Sequence, residues 1–243
     1  GGDHFVINGA KRYTSLIGES KLIVFYARTD PDAPMNKGVT AFLLDGSEEG
    51  ISFGQTHNKM GYRLYPNRES YYDNVRVHRD NVLGEVNGAA AVRAHAFRGS
   101  AELAACNTGL ARSLYKICYE HAKERVQGGK PIIEHQAIAS KIIDMYTGIE
   151  AARAYVLYGA WRVDAAWNGV EGKKIPGDPK MSASASYFAH EVACDVTRAA
   201  MEIHGGMGVM KEIPIEMYFR DAHNMMHSDG GNIMKRLKAI KGL

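Results

Sequence analysis

Ile138-Ala139-Ser140-Lys141-Ile142-Ile143-Asp144-Met145-Tyr146-Thr147-Gly148-Ile149-Glu150-Ala151-Ala152-Arg153-Ala154-Tyr155-Val156 decides the fold. Ile138, Ile142, Met145, Ile149, Ala152 and Val156 step by four and three, the spacing that stacks side chains on one face of a helix. An apolar stripe of that length must be buried against other elements, so it predicts a helical bundle. Upstream, Leu103, Leu110, Leu114 and Ile117 form a second stripe that ends near Arg125, where Gly128-Gly129 and Pro131 stop the helix. Downstream, Asn168-Gly169 and the segment 172–177 read as a loop. Asp178-Pro179 then opens a third helix with a capping acid and a proline at its first position, followed by Met181, Ala185, Phe188 and Val192. These stripes read as core.

Before Gly88 the period is two. His4 to Ile7, an Asn8-Gly9 turn and Ala10 to Ser15 read as a hairpin. Lys21 to Thr29 and Val39 to Leu44 add strands, Ile51 to Gly54 a short one, and Ser70 to His78 alternates imperfectly. The expected class is α+β: a small, mostly antiparallel β domain over 1–86, then a C-terminal antiparallel four-helix bundle over 87–243.

A formal charge of +3 on 243 residues, with basic residues scattered except near the end, argues for no nucleic-acid partner. Cys106, Cys118 and Cys194 have no close Cys or His at metal-ligand spacing and read as buried thiols, so no metal is expected. No apolar run reaches the roughly 18 residues of a membrane span, and no signal-peptide pattern opens the chain. The expected setting is a bacterial cytoplasm or a mitochondrial matrix, not secretion. Gly1-Gly2-Asp3-His4 reads as the middle of a hairpin, which suggests a fragment or an unseen pairing segment.

Four stretches carry candidate chemistry. Asp229-Gly230-Gly231-Asn232 stands just before a helical tail; Asp229 reads equally as an N-cap or as an acid set beside a ligand. In Arg12-Tyr13-Thr14-Ser15 an aromatic and a hydroxyl two apart share a strand face, suited to a flat ring or to half-buried sheet surface. Glu202-Ile203-His204-Gly205-Gly206-Met207-Gly208 ends a helix on glycines that either admit a ligand or serve packing. Arg125, near Gln127 and Gly128-Gly129, offers a guanidinium beside flexible backbone, or a solvated helix end.

In order along the chain, Val6-Ile7-Asn8-Gly9-Ala10-Lys11, Lys59-Met60-Gly61-Tyr62-Arg63, Asp73-Asn74-Val75-Arg76-Val77, Asn81-Val82-Leu83-Gly84, Glu124-Arg125-Val126-Gln127, Glu134-His135-Gln136-Ala137, Ile203 to Gly208 and Arg220-Asp221-Ala222 resemble the acyl-CoA dehydrogenase family. Each piece alone is unspecific; their order makes the resemblance specific. It implies an FAD flavoprotein of acyl-CoA and fatty-acid metabolism, a homodimer or homotetramer in which one subunit's bundle reaches its neighbour's flavin. Tyr13 is then the aromatic beside the flavin ring and Ser15 the hydroxyl toward its reactive nitrogen. Arg125, Gln127, His135, Gln136 and the segment from Glu202 through Gly205 and Gly206 hold the adenine-diphosphate half. Gly231 also lies against the cofactor, while Phe97, Ser100 and Gly230 line the acyl-CoA site. Asp229 takes the α-proton while a β-hydride leaves for the flavin, and an electron-transfer flavoprotein accepts the electrons.

The sequence departs from the family pattern. The N-terminal helical domain and the Thr-Glu-Pro and Gly-Ser-Asp contacts have no counterpart, and the family's usual Glu in a Tyr-Glu-Gly-Thr setting is here Ser228-Asp229-Gly230-Gly231. A subgroup's alternative Glu position falls on Gly99, which leaves Asp229 without an obvious rival. The shorter acid and the small residues Gly99, Ser100 and Gly231 suggest a branched or cyclic acyl group. Two other readings of the same pattern are a non-catalytic or truncated subunit that completes a partner's flavin site, and a flavin monooxygenase of the same fold.

Overall fold

The structure, a computed structural model, describes residues 2–34, 37–96, 101–173 and 175–241. The chain divides into two compact units, residues 1–98 and 99–243.

The first unit contains β1 (His4–Ser15), β2 (Leu22–Arg28), β3 (Val39–Asp45), β4 (Ile51–Phe53), β5 (Asn67–His78), β6 (Val82–Leu83) and α1 (Ala89–Ala96). Two three-stranded sheets form, in the orders β1-β5-β4 and β2-β3-β6, and every strand pair is antiparallel. Ile7, Tyr72, Val75 and Val77 of the first sheet share one core with Ile23, Phe42 and Leu44 of the second. Ring pairs Phe5–Phe42 and Phe25–Tyr72, with centroids 5.1 and 4.4 Å apart, cross between the sheets.

The hairpin expected at Asn8-Gly9 does not form. Strand β1 runs unbroken from His4 to Ser15 and pairs with the distant β5. Its register moves from Ile7↔Val75 to Gly9↔Tyr72, so β5 carries one extra residue there, with Asn74 in the left-handed region at φ 53°. Asn8 Oδ1 accepts the Asn74 N–H at 2.8 Å, so the Asn that reads as a turn instead stitches a bulge. The bulge also explains the broken alternation of β5: its buried residues are Ser70, Tyr72, Val75 and Val77, spaced two, then three, then two.

The second unit is helical. It contains α2 (Ala101–Glu124), a ribbon of β7 (Val126–Gln127) and β8 (Lys130–Pro131), α3 (Gln136–Asn168), α4 (Pro179–His204), α5 (Ile215–Met225) and α6 (Gly231–Lys241). α4 is central and packs against α2, α3, α5 and α6. Tyr115 meets Tyr146, while Ala104 clusters with Ala152 and Val156, so α2 and α3 run antiparallel. Lys141 pairs with Glu202 and a Cβ on Gly148 would meet Val192, so α3 and α4 are antiparallel too. Asn232 faces His190 and Glu191 while Arg236 lies over Tyr187, which sets α6 antiparallel to α4. Asp178 caps α4 as its sequence predicts, its Oδ1 accepting the Met181 N–H at 2.9 Å.

The buried face of α3 contains Ile142, Met145, Ile149, Ala152 and Val156 of the predicted stripe. The face of α2 differs from expectation: Ala104, Asn107, Thr108, Ala111, Leu114, Cys118 and Ala122 are buried, and Leu103, Leu110 and Ile117 flank them. Small residues at that centre meet the alanine-rich face of α4 (Ala185, Ala189, Ala193, Ala200). Cys118 and Cys194 are buried and burial pushes both thiols up to about 12, whereas Cys106 is exposed, contrary to expectation.

Candidate active site

The candidate residues fall into three groups, one in the first unit and two in the second. In the first, β1 reaches a second register break between Lys11↔Ser70 and Thr14↔Arg68, where the extra residue now lies on β1. Tyr13 sits in this bulge at φ 56° and is 70% exposed, an unusual backbone for an aromatic residue. A bulge re-aims a side chain that regular alternation would fix. The Tyr13 ring tilts against His57, with centroids 5.1 Å apart. Asn67 opposes Ser15 in the register and ties the group together: its Nδ2 donates to the Tyr13 carbonyl at 3.2 Å and to Ser15 Oγ at 3.0 Å. The Asn67 carbonyl takes the His57 N–H at 2.9 Å. Asn67 is the residue that the sequence reading missed here, for its partners are 52 and 54 positions away.

The second group lies at one end of the helical unit. Gly128 and Gly129, at φ 65° and 82°, form the two-residue turn of the β7–β8 ribbon, a geometry that glycine pairs favour. The ribbon carries Gln127, and its backbone is braced by His135 Nε2 at 2.9 Å from the Gln127 carbonyl. Gln136 opens α3, exposed. The Arg125 side chain is exposed and makes no hydrogen bond or ion pair among the described residues. At the end of α4, Gly205 has φ 56°, and a Cβ placed on Gly205, Gly206 or Gly129 would meet nothing within 4 Å. Gly208 differs: its Cβ would fall 2.5 Å from the Met201 carbonyl, so that glycine serves packing.

His121 and His204 stack with centroids 4.2 Å apart, bringing the Arg125 turn and the Gly205 turn to the same end. His204 Nδ1 donates to the Ala200 carbonyl at 2.8 Å. Burial, then the neighbouring His204 and the Arg125 guanidinium, lowers the pKa of His121. The Glu202 side chain is engaged by Lys141, which holds its carboxyl below the usual range. Open glycine backbone, a guanidinium that makes no hydrogen bond or ion pair among the described residues, and polar side chains at one helix end make a donor set that fits an anionic, phosphate-bearing group.

The third group is the turn between α5 and α6. Ser228, Asp229 and Gly230 make one turn of 3-10 helix, which ends on Gly230 at φ 86° and is followed by Gly231 at φ 70°. Three ties fix this turn. The Asn232 N–H donates to the Met226 carbonyl at 3.0 Å. The Asn232 side chain accepts from His190 Nδ1 at 3.1 Å and donates to Glu191 at 3.2 Å. Lys235, only 1% exposed, donates from Nζ to the Ser228 carbonyl at 3.1 Å, immediately before Asp229. Asn232 meets α4 near His190, fifteen residues before Gly205, so this turn and the glycine end lie roughly 20 Å apart along the helix. Phe97 and Ser100 lie outside the described residues, as does Gly99. No group of three His, Cys, Asp or Glu suited to a metal occurs among the described residues. No described helix is long and apolar enough to cross a membrane.

Comparison with known proteins shows what this arrangement belongs to. The model of the acyl-CoA dehydrogenase C-terminal domain matches residues 87–243 and that of the middle domain matches residues 1–75. The chain belongs to the acyl-CoA dehydrogenase family. A 3-(aryl)acrylate reductase of Clostridium sporogenes is 32% identical over 100% of the chain and 62% of that protein. The caffeyl-CoA reductase-Etf complex subunit CarC of Acetobacterium woodii is 33% identical over 100% of the chain and 61% of that protein. Among solved structures, butyryl-CoA dehydrogenase from Megasphaera elsdenii superposes with a TM-score of 0.88 at 30% identity, covering 98% of the chain and 60% of that protein. The chain therefore spans about three fifths of the length of these relatives.

Proposed function

We propose that this chain is the middle and C-terminal part of an FAD-dependent acyl-CoA dehydrogenase, with Asp229 as the base that removes the α-proton of an acyl thioester. The observation that carries the reading is the turn at Asp229: its backbone is tied to α4 and α6 by Asn232 and Lys235, as a group held for chemistry must be. Bound FAD supplies the hydride acceptor. Tyr13 presents an exposed ring and Ser15 a hydroxyl for the flavin ring system. Arg125, Gln127, His135, Gln136, the backbone at Glu202 and the open backbone at Gly205 and Gly206 hold the adenine-diphosphate half, and Gly231 approaches the cofactor. The distance between the Gly205 end and the Asp229 turn supports a homodimer or homotetramer in which the glycine end serves the FAD of a neighbouring copy.

Asp229 reaches about 1.5 Å less far than a Glu would, one carbon–carbon bond. This shorter acid suits branched or cyclic acyl groups. The electron acceptor is an electron-transfer flavoprotein, a reading supported by the relative named as a subunit of an Etf complex. The setting is a bacterial cytoplasm or a mitochondrial matrix. The family match favours this reading over a non-catalytic subunit or a monooxygenase.

A second reading, reduction of a 2-enoyl substrate by the same residues, is favoured by the two relatives named as reductases. Asp229 would then deliver the proton that it removes in the oxidative direction.

The test is Asp229→Asn in the FAD-loaded protein. Acyl-CoA-dependent flavin bleaching should fall by at least about a hundredfold, the range for loss of a positioned acid–base group, with FAD content unchanged. Full activity in that variant places the base elsewhere. Supplying a 2-enoyl-CoA with a flavin reductant decides the direction.

A further inference from the structure

We propose that Asn67 is a positioning residue that fixes the Ser15 hydroxyl as a hydrogen-bond donor toward the flavin ring. The inference rests on the reading that Ser15 faces the flavin. Its basis is a chain of donor and acceptor assignments that leaves one answer.

The Asn67 side-chain nitrogen lies 3.2 Å from the Tyr13 carbonyl and 3.0 Å from Ser15 Oγ. A carbonyl accepts and cannot donate, so the amide must turn its NH2 toward Tyr13; its oxygen there would face another acceptor. With the amide orientation fixed, its two hydrogens go to the Tyr13 carbonyl and to Ser15 Oγ. Ser15 Oγ therefore accepts within the protein. Its own hydrogen is turned away from Asn67, and no other hydrogen bond to this side chain occurs among the described residues. A free serine hydroxyl rotates and can accept or donate. This one is held with one of its two lone pairs engaged and its hydrogen available to an acceptor outside the sheet.

The surroundings make the hold firm. Asn67 stands opposite Ser15 in the β1–β5 register, and the next residue of β1's path, Leu16, donates its N–H to the Pro66 carbonyl at 2.9 Å. The Asn67 carbonyl takes the His57 N–H, and His57 packs on the Tyr13 ring. One residue thus sets the hydroxyl, the carbonyl of the bulged aromatic and the ring that braces it. An unprotonated ring nitrogen of an oxidised flavin is an acceptor, and a hydroxyl locked as a donor matches it.

The experiment uses FAD labelled with 15N at the reactive ring nitrogen, bound to the holoprotein, and reads the nitrogen resonance. Donation to a pyridine-type lone pair moves that resonance upfield. Ser15→Ala should move it downfield. Asn67→Asp, whose carboxylate accepts the Ser15 hydrogen and draws it inward, should move it by a similar amount, and the double variant should move no further. Asn67→Leu, which removes the donor without adding charge, should fall between wild type and Ser15→Ala, and it keeps the test decisive if the Asp variant folds poorly. In both Asn67 variants kcat should drop by up to about tenfold, the worth of one oriented neutral hydrogen bond, with KM unchanged.

Wild-type resonances in both Asn67 variants overturn the proposal. So does an Asn67→Asp shift that adds to that of Ser15→Ala, which would mean that Asn67 acts by another route. An unmoved resonance in Ser15→Ala overturns it from below, since the hydroxyl would not face the flavin; the Asp229→Asn outcome is independent of all these results.

Discussion

The β unit and the helical unit place their candidate residues by opposite means. In the β unit the site is built on defects within a strand: an extra residue on β1 throws Tyr13 into the left-handed region and out of the sheet. In the helical unit the helices are regular, and the candidate residues stand where they stop, at the β7–β8 ribbon, the end of α4 and the turn before α6. A strand's pairing with its neighbour fixes the alternation of its side chains, so a side chain leaves its prescribed face only where a bulge breaks the register. A helix leaves its terminal N–H and C=O groups unpaired, so its ends are already polar and need only glycine to bring a ligand close.

The glycines at the end of α4 give the sharpest way to break this contrast. Gly208 meets the Met201 carbonyl, whereas Gly206 meets nothing. Gly208→Ala forces backbone apart and should cost about 3 kcal/mol of unfolding free energy, at the upper end of overpacking effects. Gly206→Ala should change stability by less than about 1 kcal/mol while weakening FAD retention. Equal urea midpoints for the two variants would show that the end of α4 is not divided into a packing glycine and an open one.

Arg125 sharpens the helix-end half of the comparison. Among the described residues its side chain makes no hydrogen bond or ion pair, so Arg125→Ala should leave the melting temperature of the FAD-free chain nearly unchanged. The Kd for FAD, measured by flavin fluorescence, should rise about ten- to hundredfold, the loss of a charge-assisted hydrogen bond. Unchanged flavin occupancy counts against the assignment.

Much of the helical architecture is legible because a period of 3.6 persists over long stretches: Ile142, Met145, Ile149, Ala152 and Val156 of α3 are buried as the spacing selects, with Ile138 half-buried, and the Asp178-Pro179 start of α4 is a local chemical signal. The β unit is less legible because its decisive contacts are distant. Asn8-Gly9 satisfies the rule for a hairpin, yet the partner of that strand is β5, some 65 residues on, and Asn8 finds Asn74. The centre of α2 escapes for another reason: alanine, threonine and asparagine carry no hydrophobic signal, and only the closeness of α4 makes them core. Asp229 stands out by its local setting before two glycines, and Arg125 and the Gly205 turn by the order of motifs, as candidates; Asn67 and Lys235 carry no such signal, since each acts through a backbone carbonyl.

The bulge on β5 offers a smaller effect from the strand side. Asn74 tolerates φ 53° better than most residues, and its N–H and side chain meet Asn8. Asn74→Ala should destabilise by about 1 kcal/mol, whereas Asn74→Gly keeps the backbone and should cost less. If the two are indistinguishable by denaturant midpoint, left-handed strain does not set this bulge.

The smallest effect expected is the pH response of the stacked pair at the helix end. Burial, His204 and Arg125 all disfavour a proton on His121, so its pKa in the folded chain lies below the ordinary 6.5. The unfolded chain then binds more protons than the folded one as pH drops past that value, and stability must fall with it. The contribution of His121 is thus present in full above about pH 6.5 and is lost on acidification. His121→Phe keeps an aromatic ring against His204 but removes the titration. Its urea midpoint should decline less steeply than wild type between pH 7 and 5, with the two curves parallel above pH 7. Because His121 remains partly exposed, screening keeps the difference small, and added salt should shrink it further. Superimposed acid limbs would mean that the stack tolerates a charge, and the helix end would then be held by its glycine turn and ribbon without help from the imidazoles.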